Sequence, residues 1–277
     1  MKSFVIYISP AGTTRQVAQT IGKTLLDLET EVESFDLGAR VGIPSLMARI
    51  EEAGDEACLF IGSPVYAAHA VPPVMEFIAQ LPAKGKGFSV PFVTYGVVTS
   101  GIALPEMGAA LNEKGYTVIG AAKVLAVHSL TWCAEHPLGE GHPDDADTWV
   151  VNEMVRKVLD KLSTKPVKAL PLSELDYQPV PAREGMKKVT MAAARQFLPP
   201  RQVNTEICTK CKICVEKCPA GALALEPFPV FGAACFLCYN CVRLCPEKAI
   251  NADLSMMAEQ LRKGAEKTGE PGSRVFL

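Results

Sequence analysis

The chain has 277 residues, 48% of them hydrophobic and 21% charged, with a formal net charge of -2. At roughly 100–200 residues per domain, that length suits about two folded units. No apolar run reaches the roughly 18 residues of a membrane span, since the longest candidate, ACLFIGSPVYAAHAVPPV, is broken by Gly62, Pro64, Pro72 and Pro73. A net acidic chain without a recognition motif argues against nucleic acid. The early apolar stretch FVIYI is shorter than a signal-peptide core, so the expected location is the cytoplasm.

Charge and cysteine are unevenly spread. Residues 1–165 hold 13 Lys+Arg against 19 Asp+Glu, a net of -6, whereas residues 166–277 hold 15 against 11, a net of +4. Eight of the ten cysteines lie between Cys208 and Cys245, which points to metal rather than to a disulfide framework. Pro166, Pro171, Pro179 and Pro181 interrupt helical patterns in KPVKALPLSELDYQPVPAREG (165–185). The expected division is a first module at 1–164, a proline-rich basic linker at 165–200, a cysteine module at 201–252 and a helix with a tail at 253–277.

In the first module, strands are expected at SFVIYI (3–8), EVESFDL (31–37), ACLFIGS (57–63), SVPFVTYG (89–96) and TVIGAAKVLAV (117–127). Helices are expected at 13–28, with Val17, Ile21, Leu25 and Leu28 on one face, and near 44–53, 72–81, 101–115 and 146–162. Apolar runs such as ACLFI suit parallel strands covered on both faces, so the fold class is a doubly wound α/β sandwich around a five-stranded parallel sheet.

Ligands of such sheets sit at the carboxyl ends of the strands. SPAGTTRQVA (9–18) runs from a strand through a hydroxyl- and glycine-rich turn into a helix, an anion-binding arrangement that lacks both the Walker lysine and a G-x-G-x-x-G turn. Ordinary helix capping also explains its Ser and Thr residues. GSPVYAAHAVPPV (62–74) adds a Gly-Ser-Pro turn and an aromatic, Tyr66.

With these loops the chain resembles the flavodoxin-like family over roughly residues 1–162. The resemblance implies FMN, with its phosphate at Ser9, Ala11, Gly12, Thr13 and Thr14. Its ring would lie between Ser63, Pro64, Val65, Tyr66 and Ala67 on one side and Thr94, Tyr95, Gly96 and Gly101 on the other, with Tyr66 as the ring neighbour. The long segment SLTWCAEHPLGEGHPDDAD (129–147) is expected to cover the flavin, with Trp132 either stacked or simply packed. Where the family leads one to expect Arg, His142 precedes Pro143 and Asp144. Cys133, His136 and His142 are too irregularly spaced for zinc, and Cys58 reads as a core residue.

From Ile207 the chain reads ICTKCKICVEKCPAGAL and from Ala234 ACFLCYNCVRLCPEKAI, the same C-x2-C-x2-C-x3-C-P pattern twice, 27 residues apart. Zinc ribbons pair C-x2-C units across a longer gap. The repeat resembles two-cluster bacterial ferredoxins, small α+β domains holding two [4Fe–4S] clusters. The resemblance implies crossed ligation: Cys208, Cys211, Cys214 and Cys245 for cluster I, and Cys235, Cys238, Cys241 and Cys218 for cluster II.

The combination implies an electron-transfer iron–sulfur flavoprotein; an FMN-dependent reductase of a small substrate is the alternative, and a redox sensor a third. Redox proteins are the expected partners, acidic ones among them, steered by Arg183, Lys187, Lys188, Arg195 and Arg201. A homodimer stays open. Met191 to Phe197 is expected to form a short helix between the modules.

Overall fold

The computed structural model describes residues 1–83, 85–270 and 272–277. Its first half alternates strand and helix: β1 (Lys2–Tyr7), α1 (Thr13–Asp27), β2 (Glu31–Asp36), α2 (Ile43–Ala53), β3 (Ala57–Tyr66), β4 (His69–Ala70) and α3 (Pro72–Gln80). There follow β5 (Phe88–Tyr95), α4 (Ala103–Glu113), β6 (Thr117–Val118), β7 (Ala121–Leu125) and α5 (Asp145–Ser163). Parallel pairing runs β2-β1-β3-β5-β7. This is the flavodoxin-like order, whose direction reverses between β1 and β3.

Alternation along the strands divides the core. Phe4, Ile6, Leu59 and Ile61 meet Leu46, Ile50, Phe77 and Leu104 of α2, α3 and α4. Val5, Phe60, Phe92 and Val124 meet Val17, Ile21 and Leu25 of α1 and Val151, Val155 and Val158 of α5. Cys58 lies in the second cluster with no exposure, its thiol pushed up to about 12 by burial.

The second half comprises α6 (Val180–Met186), α7 (Met191–Phe197), β8 (Gln202–Val203), α8 (Ile213–Glu216), β9 (Leu223–Leu225), β10 (Pro229–Phe231), α9 (Asn240–Leu244), β11 (Ile250–Asn251), α10 (Ser255–Thr268) and β12 (Arg274–Phe276). Two small antiparallel ladders, β9 with β10 and β8 with β11, frame the cysteine loops.

Three features differ from the sequence reading. Pro181 stands in the first turn of α6, where its missing N–H is no loss, so a helix forms inside the expected linker. Leu170 and Leu175, only 2% and 1% exposed, pin that segment into the α/β core. The tail beyond α10 returns to the first module, where β12 pairs antiparallel with β7 and adds an edge strand to the five parallel ones. Just before β12, Glu270 accepts from Lys123 Nζ (2.8 Å), Thr99 Oγ1 (2.6 Å), the Ser100 amide (2.8 Å) and Gln178 Nε2 (2.7 Å). Burial opposes its charge, but these donors hold its carboxyl below the ordinary range.

Helix α7 lies where the sequence placed it and touches both modules, with Met191 against the α/β core and Ala194 and Leu198 against the cysteine-module core. Among the described residues, no helix is long and apolar enough to cross a membrane.

Candidate functional site

At the carboxyl ends of β1, β3, β5 and β7, one cleft is lined by Ala11, Thr13, Pro64, Val65, Tyr66, Thr94, Tyr95, Gly96, Thr99 and residues 126–129. The loops after these strands converge here because parallel strands all end on the same side of the sheet. Gly12 caps α1 in the left-handed region (φ 95) without a side-chain bond, and among the described residues nothing accepts from the Thr13 and Thr14 amides. A Cβ on Gly12 would have nothing within 4 Å. Free amides at a helix start, beside open space, suit a phosphate.

Several anticipated residues are bonded or buried within the fold around this cleft. Ser9 Oγ accepts from the Arg15 amide (2.9 Å), and Thr14 Oγ1 bonds Thr94 Oγ1 at 2.7 Å in the interior. Ser63 is buried, accepting from the Val71 amide (3.0 Å) and donating to the Pro64 carbonyl. Ala67 adopts a left-handed turn (φ 50). Gly101 (φ 64) faces the Ala68 carbonyl so closely that a Cβ would stand 2.0 Å from its oxygen. Tyr95 is only 2% exposed, and its hydroxyl donates to the Gly272 carbonyl at 3.3 Å.

The segment 129–147 contributes Ser129 alone to the lining. Trp132 is half-buried, while Cys133 and His136 are exposed. His142 Nδ1 lies 2.6 Å from Asp147, which closes a capping box with Asp144 at the start of α5. The segment thus secures the start of α5 through His142 and Asp144 and sends Leu130 into the cysteine-module core.

His128, which the sequence reading passed over, lines the cleft, and burial pushes its imidazole down to about 4. Its Nδ1 accepts from the Leu130 amide (3.2 Å), which fits a neutral ring. The residues just after the last parallel strand were the available signal, by the same strand-end logic that picked out the other loops.

The eight clustered cysteines fall into two hollows. One is lined by Cys208, Cys211, Cys214 and Cys245, with Ile213, Ala249 and Ile250. The other is lined by Cys218, Cys235, Cys238 and Cys241, with Leu223, Phe236 and Tyr239. The sequence repeat is also a backbone repeat. Lys210 and Lys212 have φ of 56° and 64°, and Leu237 and Tyr239, 27 positions on, have 60° and 53°. The amides of Ala222 and Ala249 likewise donate to Cys218 Sγ (3.3 Å) and Cys245 Sγ (3.2 Å). Two loops coiled alike each surround a pocket with three sulfurs and receive a fourth from the other loop.

Most of the basic residues expected to steer a partner are engaged within the chain. Arg183 pairs with Asp176 (2.6 Å), Lys187 with Glu184 (2.7 Å), and Arg195 donates to the Ala233 carbonyl (2.6 Å). Arg201 donates to Cys235 Sγ at 2.8 Å and stacks over Phe231.

Cleft and hollows meet. Arg243 of α9 donates to the Pro10 and Ala11 carbonyls in the loop after β1. Beside it, Ser9, Gly12, Arg15, Lys217 and Arg243 line an intermodule cavity of about 640 Å³. No sequence signal singled out Arg243 for this role, because the contact spans 232 positions.

Residues 207–250 match the 4Fe-4S dicluster domain family. No curated protein matches the chain by sequence. Among solved structures, a flavodoxin from the domain Archaea is similar at 21% identity, covering 59% of this chain and 100% of that one, with a TM-score of 0.44. Flavodoxin 1 from Bacillus cereus is similar at 18% identity, with 59% and 100% covered and a TM-score of 0.45. The rubredoxin oxygen:oxidoreductase of Desulfovibrio gigas is similar at 18% identity and a TM-score of 0.43, with 59% of this chain covered but only 37% of that one. The chain thus joins a flavodoxin-like α/β module, defined by its own strand order, to a 4Fe-4S dicluster domain.

Proposed function

We propose that the chain is an electron-transfer flavoprotein that exchanges electrons between two [4Fe–4S] clusters and FMN and passes them to or from a redox partner. The observation that carries this reading is the docking of the dicluster domain on the loop after β1, through Arg243 and the Pro10 and Ala11 carbonyls. Two cofactor sites fixed side by side in one chain serve transfer within that chain.

Each residue has a task. The Gly12, Thr13 and Thr14 backbone binds the phosphate, and Pro64 to Tyr66 with Thr94 to Gly96 form the walls that exclude water from the ring. His128 stays neutral and adds no charge there. Cys208, Cys211, Cys214 and Cys245 ligate one cluster, and Cys218, Cys235, Cys238 and Cys241 the other. This grouping is supported by the way the cysteines line the two hollows. When bound, FMN takes up one or two electrons and each cluster one; the protein sets position and potential. In domain terms, residues 1–164 bind FMN, 165–200 connect, 201–252 hold the clusters, and 253–277 return to the α/β sheet.

A second reading, reduction of a small substrate at the flavin, is favoured by one observation. A cavity of about 720 Å³, within the ordinary range for ligand sites, adjoins the cleft at Thr99 and is lined by Val98, Tyr177, Met186 and Arg274 among others.

The test is anaerobic purification with iron, sulfide and flavin quantified. About eight iron atoms and one FMN per chain are expected. About four iron atoms, zinc in place of iron, or FAD would overturn the reading.

A further inference from the structure

The two cysteine hollows face different surroundings. In the Cys208 hollow, Cys211 is exposed and Cys208 and Cys245 are half-exposed. Every residue lining it belongs to the dicluster domain, with Thr209, Lys210, Pro246 and Glu247 at its surface. In the Cys218 hollow, Cys218, Cys235 and Cys241 are buried. Its wall residue Phe236, only 2% exposed, sits in the core of the α/β module rather than in that of its own domain. Ala220 and Cys238 pack against that same α/β core.

Phe236 meets Tyr66 there, ring centroids 5.8 Å apart and planes tilted by 39°. Tyr66 in turn lines the loop cleft beside Pro64 and Val65. From the cleft to the inner sulfurs, the wall is therefore a tyrosine ring, a phenylalanine ring and a cysteine loop, all in contact. Such a wall excludes water and holds its parts at fixed separations.

We propose that electrons cross between the flavin cleft and the dicluster domain at the Cys218, Cys235, Cys238 and Cys241 hollow, by way of Phe236 and Tyr66, and that the Cys208 hollow is the outward port for a one-electron donor protein. The proposal rests on the reading of the chain as an iron–sulfur flavoprotein and adds the route. Each crossing moves one electron: the inner cluster is oxidised by one as the flavin is reduced by one, and the outer cluster, re-reduced by the donor, restores it. No bond to either ring forms or breaks. The protons that accompany full flavin reduction come from water.

The test uses the full chain loaded with both cofactor types. Flavin and cluster absorbance are followed after flash reduction, and electron paramagnetic resonance of the part-reduced protein reports how close the two centres lie. Phe236→Leu and Tyr66→Leu keep the sites apolar and of similar bulk; each should slow transfer roughly tenfold, about 1.4 kcal/mol of barrier, with the magnetic interaction unchanged. Lys210→Glu reverses a charge at the exposed mouth of the Cys208 hollow; it should slow reduction of the chain by an acidic donor protein severalfold and leave flavin-to-inner-cluster transfer at the wild-type rate. Should Phe236→Leu fail to fold, Tyr66→Leu decides. Donor reduction unmoved by Lys210→Glu together with transfer unmoved by Tyr66→Leu would overturn the route. A chain that binds no FMN, or only four irons, would instead overturn the reading on which the route rests.

Discussion

The α/β module buries hydrocarbon, whereas the dicluster domain buries sulfur. In the first, Phe4, Ile6, Phe60, Ile61 and Val74 have no exposure at all, on strands of up to 10 residues and helices of up to 19. In the second, four of the eleven buried residues of the core cluster are cysteines, Cys214, Cys218, Cys235 and Cys241, with α8 four residues long and α9 five. Helices that short have no stability of their own. The domain also holds Lys210, Lys212, Leu237, Tyr239 and Lys248 in the left-handed region, at about 1–2 kcal/mol each. A cofactor is therefore a guest in one region and part of the fold in the other.

The sharpest way to break that comparison is to remove the cofactors one class at a time. Stripping iron anaerobically with a chelator should abolish amide-exchange protection across roughly residues 201–252 while β1, β3 and β5 stay protected, because metal binding supplies the folding free energy of such domains. Removing flavin should leave both regions folded. If protection in the sheet and in the cysteine loops vanished together on iron removal, the two regions would be one cooperative unit.

The tail qualifies the contrast, since it crosses from the dicluster domain back to the sheet. Lys123 is 3% exposed, and Glu270 is the carboxylate that faces it. Glu270→Ala would leave that ammonium without its carboxylate partner in the interior, a change that costs about 3 kcal/mol. The loss should appear as a lower denaturation midpoint of the α/β module, with Glu270→Gln intermediate. A midpoint within experimental error of wild type would mean that β12 is held by its pairing with β7 alone.

What the sequence disclosed divides along the same line. The five parallel strands carry long apolar runs, and the cysteine spacing repeats, so both were legible from local pattern. The strand Arg274–Phe276 is three residues long, too short for any periodicity, and its partner Lys123 lies 151 positions away. Phe236 was legible as an apolar neighbour of the cysteines but not as a member of the α/β core, since only tertiary packing brings it to Tyr66. Ser9 and Thr14 stand out in the sequence for their hydroxyls. Those hydroxyls are spent on the Arg15 amide and on Thr94, an outcome that capping preference permits but residue type alone does not decide.

The smallest expected effect is one of pH, and it should be confined to the α/β module. Burial lowers the His128 imidazole to about 4, whereas in the unfolded chain it titrates near 6.5. Between those values the unfolded state binds the proton and the folded state does not. The stabilisation is thus complete above about pH 6.5 and is lost as pH falls toward 4. From pH 7.5 to 5.5 the loss amounts to about 1.4 kcal/mol. His128→Asn removes the titrating group, so its denaturation midpoint should fall less than that of wild type over this range. The comparison should be read from amide exchange in the buried strands β1, β3 and β5, because acid acts on the cluster domain by a separate route. Equal pH slopes for the two proteins would mean that the His128 ring is already wet in the folded chain, and the cleft floor with it.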